Sequence, residues 1–258
     1  MNDTLKTIHN LRSIHGNFSE RDITDRDLKS IIGACVRAAN ASARQSYSVI
    51  VVNDRQVIKE QFTYNGSKAL LFCVDYNRII TAAKYLGKEF NLSSIISFIT
   101  GSTDTILAAQ TAAIAAKSIG IDSLFTNSIH RRDINSLCQT FELPKSYCFP
   151  LIALILGYVD TELPYFKGRI TGRGVVHYGK YQNLDNNDLN DLVAIYDDTQ
   201  KHIGLIDDWR EKGYSHYLDW FYTSWSRNES VEKQEEILLA LKKAGFINNN
   251  MGEELKND

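Results

Sequence analysis

From Thr24 onward the apolar positions fall at Leu28, Ile31, Ile32, Cys35, Val36 and Ala39. That three-and-four spacing turns one helical face toward a core. Thr24, with Asp27 three residues on, has the form of a capping box that would start the helix. A shorter helix is expected over residues 4–10. Residues 48–53 (SVIVVN) and 69–75 (ALLFCVD) are short, β-rich apolar runs and read as buried strands. Helices are expected between them, over residues 55–62, and after them, over 77–90. Ser102, Thr103 and Asp104 read as the cap of a helix over residues 105–119, closed by Gly120 at the C′ position. Its alanines (108, 109, 112, 113, 115 and 116) cover more than one face, so close packing on several sides is expected. A strand over 123–126 and a helix over 132–141 follow. Residues 149–158 (FPLIALILGY) form the most hydrophobic run and the expected central strand. Residues 174–178 (GVVHY) suggest a further strand. Helices near 187–202 and 230–244, the latter capped by Gly245, complete the pattern.

Strands and helices alternate through irregular connections. The pattern suits an α+β domain built on one mostly antiparallel sheet wrapped by helices. We place this domain over residues 1–203, with a polar, aromatic C-terminal extension over 204–258 that would pack on the domain or on a partner subunit. A small asparagine cluster lies at 248–250.

The chain has 258 residues, long enough to bury a full core without a disulfide or metal staple. Its 29 basic and 31 acidic residues give a formal net charge of −2, so no general nucleic-acid or membrane-surface role is expected. The longest apolar run, residues 150–156, is too short to span a membrane, and the N-terminal residues carry no apolar leader segment. A soluble cytoplasmic protein is therefore expected. Cys35, Cys73, Cys138 and Cys148 are scattered without a C-x-x-C spacing, which reads as reduced core thiols rather than a metal site.

No dinucleotide fingerprint, P-loop, H-E-x-x-H or G-x-S-x-G occurs. Three anion-friendly features remain. Arg12-Ser13-Ile14-His15 offers a guanidinium fork beside a hydroxyl, which suits phosphate. Lys167-Gly168-Arg169 puts two cations on one face of an extended segment, with a glycine between them for close approach. Residues 38–48 (AANASARQSYS) form a small polar loop between a helix and a strand, rich in donors for a planar polar ligand. Taken singly, each also reads as a solvated turn, a surface loop or a plain connection.

In this order the three features resemble the nitroreductase family of FMN-dependent NAD(P)H oxidoreductases, specifically the oxygen-insensitive nitroreductase and flavin reductase subgroup. The resemblance is carried further by Phe72 to Arg78 (FCVDYNR), by the helix from Asp104-Thr105 to Ile121, by Leu143-Pro144, by the strand from Pro150 to Tyr158, and by Val176-His177. It implies a three-layer α+β sandwich forming an intertwined homodimer, with FMN at the subunit interface. It implies that Arg12, Ser13, Lys167 and Arg169 hold the FMN phosphate. His15 stands where the family has a basic residue near the flavin pyrimidine edge. Ser42, Arg44 and Ser46 would reach the flavin from the other subunit, Asn65 would stand for a ring-contacting Gln, and Asn127 and Ser128 would face flavin N5. The activity implied is hydride transfer from NAD(P)H through FMN to a nitroaromatic, quinone or flavin acceptor, by ping-pong kinetics and with no catalytic side chain. The alternatives are a flavin-storage dimer, or a same-fold flavoenzyme that dehalogenates its substrate or breaks down flavin.

Overall fold

A computed structural model describes residues 1–92, 94–161, 164–172, 174–226 and 228–247. The asparagine cluster at 248–250 lies outside them. The chain divides into two compact units, Met1–Thr161 with Val231–Asp258, and Glu162–Ser230. The boundary expected at 203/204 therefore falls inside the second unit. The reason is local pairing: residues 165–168 are tied to 202–204, so the two stretches cannot belong to separate bodies.

The first unit is built on four strands, β1 (Tyr47–Val52), β2 (Lys68–Asp75), β3 (Asp122–Thr126) and β4 (Cys148–Gly157), in the order β1-β2-β4-β3. Every neighbouring pair is antiparallel. In β2 both the even and the odd residues from Ala69 to Val74 are fully buried, so that strand is covered on both faces. A register shift separates Phe72↔Ile152 from Cys73↔Pro150. A proline has no N–H for the ladder, and a bulge at Pro150 accommodates that.

The helices of this unit are α1 (Asp3–His9), α2 (Asp25–Cys35), α3 (Arg55–Phe62), α4 (Asn77–Tyr85), α5 (Ser94–Ser118), α6 (Ile134–Thr140) and α9 (Val231–Lys243). Thr24 caps α2 by accepting from Asp27 N–H at 3.1 Å, while its hydroxyl donates to the Asp27 carboxylate at 2.9 Å. The side chains thus bond to each other, so the reciprocal backbone bond of a full capping box is not made.

The alanine-rich helix corrects the sequence reading. It begins at Ser94, not at 105, because the apolar residues Ile95, Ile96, Phe98 and Ile99 carry it back through the expected cap. Ala108, Ala109, Ala112, Ala113 and Ala116 are buried with Leu70, Phe72, Leu154 and Leu156 of the sheet and with Leu28, Ile31 and Cys35 of α2. Small side chains let α5 lie close to both. It ends as expected: Gly120, at φ +80°, is followed by Ile121 N–H donating to Ala116 O at 2.9 Å, and Gly120 N–H donates to Lys117 O at 3.1 Å. That is a Schellman ending.

The second unit contains α7 (Asn186–Asp197), α8 (Tyr217–Trp220) and the π-turn Phe221–Trp225. Trp209, Tyr217 and Trp220 form its buried cluster, with Tyr196 stacked on Tyr217 at 5.4 Å. Residues 174–178, expected as a strand, form a turn in which Val176 N–H donates to Gly172 O at 2.8 Å. Gly172 and Gly174 have φ of +97° and +87°, left-handed values that bend the chain instead of extending it. Among the described residues no helix is long and apolar enough to cross a membrane.

Candidate functional site

The predicted site residues of the first unit fall into two groups. One group gathers along β3 and just beyond its end. Ser13 bridges Ser123 of β3, and Ile14 N–H donates to Ser123 O at 3.1 Å, so residues 13–14 ride along that edge strand. His15 meets Tyr64 edge to face at 5.9 Å, which brings it beside the turn that carries Asn65. Asn127 heads a 3-10 turn, Ser128–His130. Ser128 N–H donates to Thr126 Oγ1 at 3.1 Å, Thr126 Oγ1 donates to Ser128 Oγ at 2.9 Å, and Ser128 Oγ donates to Phe62 O at 3.4 Å. Arg132 donates to Thr63 Oγ1 at 2.8 Å. The end of α3 is thus the point on which the 13–15 and 127–132 stretches converge.

Arg12 is held differently from the implied phosphate contact. Its Nε and Nη2 meet the Asp122 carboxylate at 3.2 and 2.9 Å, and both side chains are buried. Lys117 Nζ reaches the same carboxylate at 2.7 Å. Burial alone would raise the Asp122 carboxyl, but the two cations outweigh it and hold it below the ordinary carboxylate value.

The second group is the loop between α2 and β1. It holds the 3-10 turn Ala41–Ala43 and three left-handed residues without a glycine: Ser42 (φ 53°), Ala43 (φ 53°) and Gln45 (φ 48°). Ser46 is fully buried, and its Oγ has no hydrogen-bond partner among the described residues. Arg44 Nε donates to Ala41 O at 3.4 Å. This loop feeds β1, one edge of the sheet, whereas the first group sits on β3, the other edge. Three strand spacings, roughly 14 Å, separate the two groups within one chain.

Sequence reasoning missed two residues that act on this loop. Asp104, read as a helix cap, is instead a buried mid-helix carboxylate that accepts from Ala41 N–H at 2.8 Å and Ser46 N–H at 3.1 Å. Arg78 donates through Nη2 to Arg44 O at 2.5 Å and Gln45 O at 2.9 Å. No local signal marked Asp104: Gly101, Ser102, Thr103 and Thr105 surround it in sequence, and only the packing of α5 buries it.

In the second unit, Lys167 Nζ donates to Gly204 O, and Arg169 Nη1 donates to Lys167 O and Gly168 O at 3.1 and 2.8 Å. Neither cation has a carboxylate partner among the described residues. Gly168 is required: a Cβ there would stand 2.2 Å from Lys201 O. The ring of Tyr165 stacks on His202 at 3.6 Å and lies 5.5 Å from Lys167 Nζ. No group of three or more metal-ligating side chains comes together among the described residues.

The chain is 31% identical over 212 residues to an NADPH-flavin oxidoreductase of Vibrio harveyi, a match covering 78% of this chain and 82% of that one. It is 29% identical over 206 residues to an oxygen-insensitive NADPH nitroreductase of Salmonella typhimurium, covering 77% and 81%. Among solved structures, a putative oxidoreductase from Bacteroides fragilis superposes with a TM-score of 0.81 at 22% identity, covering 94% of this chain and all of that one. The Vibrio harveyi NADPH:FMN oxidoreductase complexed with NAD+ gives 0.75 at 24% identity, covering 95% and 98%. These two likenesses show the α+β fold. No family model matches the chain.

Proposed function

The chain belongs to the nitroreductase family of FMN-dependent NAD(P)H oxidoreductases, and on that footing we propose that it is a homodimer whose FMN sites draw residues from both subunits. The enzyme is an NAD(P)H-driven FMN oxidoreductase. The observation that carries the dimeric reading is the separation of the two residue groups on opposite sheet edges. A flavin that touches both groups takes one from each of two copies.

The residues present fit FMN. Ser46 Oγ is buried without a partner among the described residues, as a hydroxyl reserved for a ligand would be. Lys167 and Arg169 have only carbonyl partners among the described residues, so their charge is uncompensated there. Within the second unit we assign phosphate contacts to Lys167 and Arg169; within the first, Ser13 keeps the phosphate role that the resemblance implies, while Arg12 is engaged by Asp122. His15 and Asn65 would meet the ring, His15 as an N–H donor to developing negative charge at the pyrimidine edge. Asn127 would offer its backbone N–H at the reacting edge, the Ser128 N–H expected there being already given to Thr126 Oγ1, and Ser42, Arg44 and Ser46 would supply donors from the other subunit.

When bound, FMN supplies the hydride-accepting and electron-delivering chemistry that no side chain here can perform. The chain's own work is to orient, to donate hydrogen bonds and to keep one face open. An open face serves NAD(P)H first and then a nitroaromatic, quinone or flavin acceptor, in ping-pong order. The lack of a dinucleotide fingerprint agrees with a nicotinamide held by stacking rather than by a separate domain. We place the protein in the cytoplasm, in keeping with its free cysteines.

The test is the visible spectrum of the purified protein, followed by anaerobic NADPH or NADH. Oxidised-flavin bands bleached by either nucleotide are expected. Bound flavin that neither nucleotide reduces would favour the storage dimer, and a colourless protein that takes up no added FMN would overturn the reading.

A further inference from the structure

The α2–β1 loop stores conformational energy that its own sequence cannot hold. Ser42, Ala43 and Gln45 lie in the left-handed region, which non-glycine residues enter only when surroundings enforce it. Here the enforcement is visible. Asp104 Oδ1 takes the amide at the loop's start, Ala41, and Oδ2 takes the amide at its end, Ser46. Asn40 Oδ1 accepts from Gln45 N–H at 3.2 Å. From the other side, one nitrogen of Arg78 takes the carbonyls of Arg44 and Gln45. Helix α5 comes close enough for this because Gly101, one turn before Asp104 on the same face, has no side chain. A Cβ there would stand 3.3 Å from Ser46 O and 2.5 Å from Val74 Cγ1.

We propose that Asp104 and Arg78 are positioning residues for the cofactor: they clamp residues 41–46 in a strained shape that presents Ser42, Arg44 and Ser46 to FMN. The proposal rests on the FMN reading above. A buried carboxylate that spends both oxygens on two backbone amides of one loop acts on that loop rather than on α5. Its effect is to remove the loop's freedom to relax. Binding is then tighter because the loop's ordering is complete before the cofactor arrives.

The full-length protein, freed of flavin, is compared with Asp104→Asn, Arg78→Gln and Ala43→Gly. Amide hydrogen exchange over residues 38–47 reads the clamp, and FMN titration by fluorescence reads its purpose. For Asp104→Asn we expect exchange at Ala41 and Ser46 to quicken at least tenfold and the FMN Kd to rise at least tenfold. Arg78→Gln, at an exposed site that cannot unfold the core, should move both in the same direction by less. Ala43→Gly lowers the cost of the left-handed backbone that the clamp imposes, so its melting temperature should stay level or rise and its FMN Kd should not rise. Unchanged exchange in both charge variants overturns the clamp. Quickened exchange with unchanged FMN affinity overturns its link to the cofactor. Wild-type protein that binds no FMN overturns the functional reading instead, and the exchange arm, run without flavin, tells that failure apart.

Discussion

Arg12 and Asp122, 110 residues apart in sequence, form a two-point ion pair at 2.9 and 3.2 Å with both side chains buried, and Lys117 closes on the same carboxylate at 2.7 Å. The pair fastens residues 12–14 to the start of β3, the strand along which Ser13 runs. Asp122→Ala would remove the carboxylate from between the Arg12 guanidinium and the partly buried Lys117 ammonium. A loss of about 3 kcal/mol of unfolding free energy is expected, measured by urea titration. The pH dependence follows from the lowered Asp122 carboxyl. A carboxylate whose folded pKa lies below its unfolded value contributes fully above the unfolded value, near 4, and loses that contribution as pH falls through the folded one. The wild type should therefore lose stability more steeply than Asp122→Ala below pH 4. Parallel acid limbs would count against the pair.

Lys167 and Arg169 sit on a segment pinned by Gly168 N–H to His202 O at 3.1 Å and by Lys167 to Gly204 O. On the phosphate assignment proposed above, Lys167→Ala with Arg169→Ala would remove two charge-assisted contacts, each worth roughly tenfold in affinity. The double variant should purify without flavin while its circular dichroism stays that of the wild type. Gly168→Ala tests the same segment by steric means. Its new Cβ would meet the backbone at Lys201, and overpacking of this kind costs about 1–3 kcal/mol. Loss of flavin together with altered tryptophan emission is expected from it.

The sheet was legible because each strand is a short apolar run with turn residues at its ends. β2, β4 and α3 fall within one residue of their expected bounds. The start of α5 was not, because Ser102-Thr103-Asp104 is a good local cap and only tertiary burial reveals that Asp104 points into the core. Residues 174–178 mislead in the opposite way: GVVHY is β-rich in composition, but two left-handed glycines decide its course. Of the site, the segments were legible and the partners were not. Nothing near Arg12 announces Asp122, and nothing near Ser46 announces Asp104, since both partners come from more than 50 residues away.

The four cysteines offer a check on the core. All are free. Burial pushes Cys35 up to about 11, the Cys148 hydrogen bond and burial push Cys73 well up, and burial raises Cys138. A thiol reacts as its thiolate. The native protein at pH 8 should therefore give at most one slow equivalent with a thiol-exchange dye, from half-buried Cys138, and four after unfolding. Two or more rapid equivalents in the native state would mean that the β2–β4 core opens readily.

In the second unit, His216 Nδ1 lies 2.6 Å from Asp197 Oδ2, and the other oxygen of Asp197 accepts from Tyr217 N–H at 2.8 Å. Asp219 accepts from His216 N–H at 3.0 Å, and Arg210 also acts on the imidazole. The hydrogen bond to Asp197 raises the His216 pKa above its ordinary value, and the opposing effects of desolvation and Arg210 are smaller. A histidine raised on folding contributes fully below its unfolded value, near 6.5, and the contribution fades as pH climbs through the folded value. What fades is the anchor of α8, and with it Tyr217, whose hydroxyl accepts from Leu205 N–H at 3.0 Å beside the carbonyl that holds Lys167. All three tryptophans of the chain, Trp209, Trp220 and Trp225, lie in this unit, so their emission reports it directly. Denaturant midpoints followed by tryptophan emission should fall between pH 6 and pH 8.5 in the wild type and stay level in His216→Ala. A wild-type midpoint that does not move across that range would show that the His216–Asp197 contact anchors nothing.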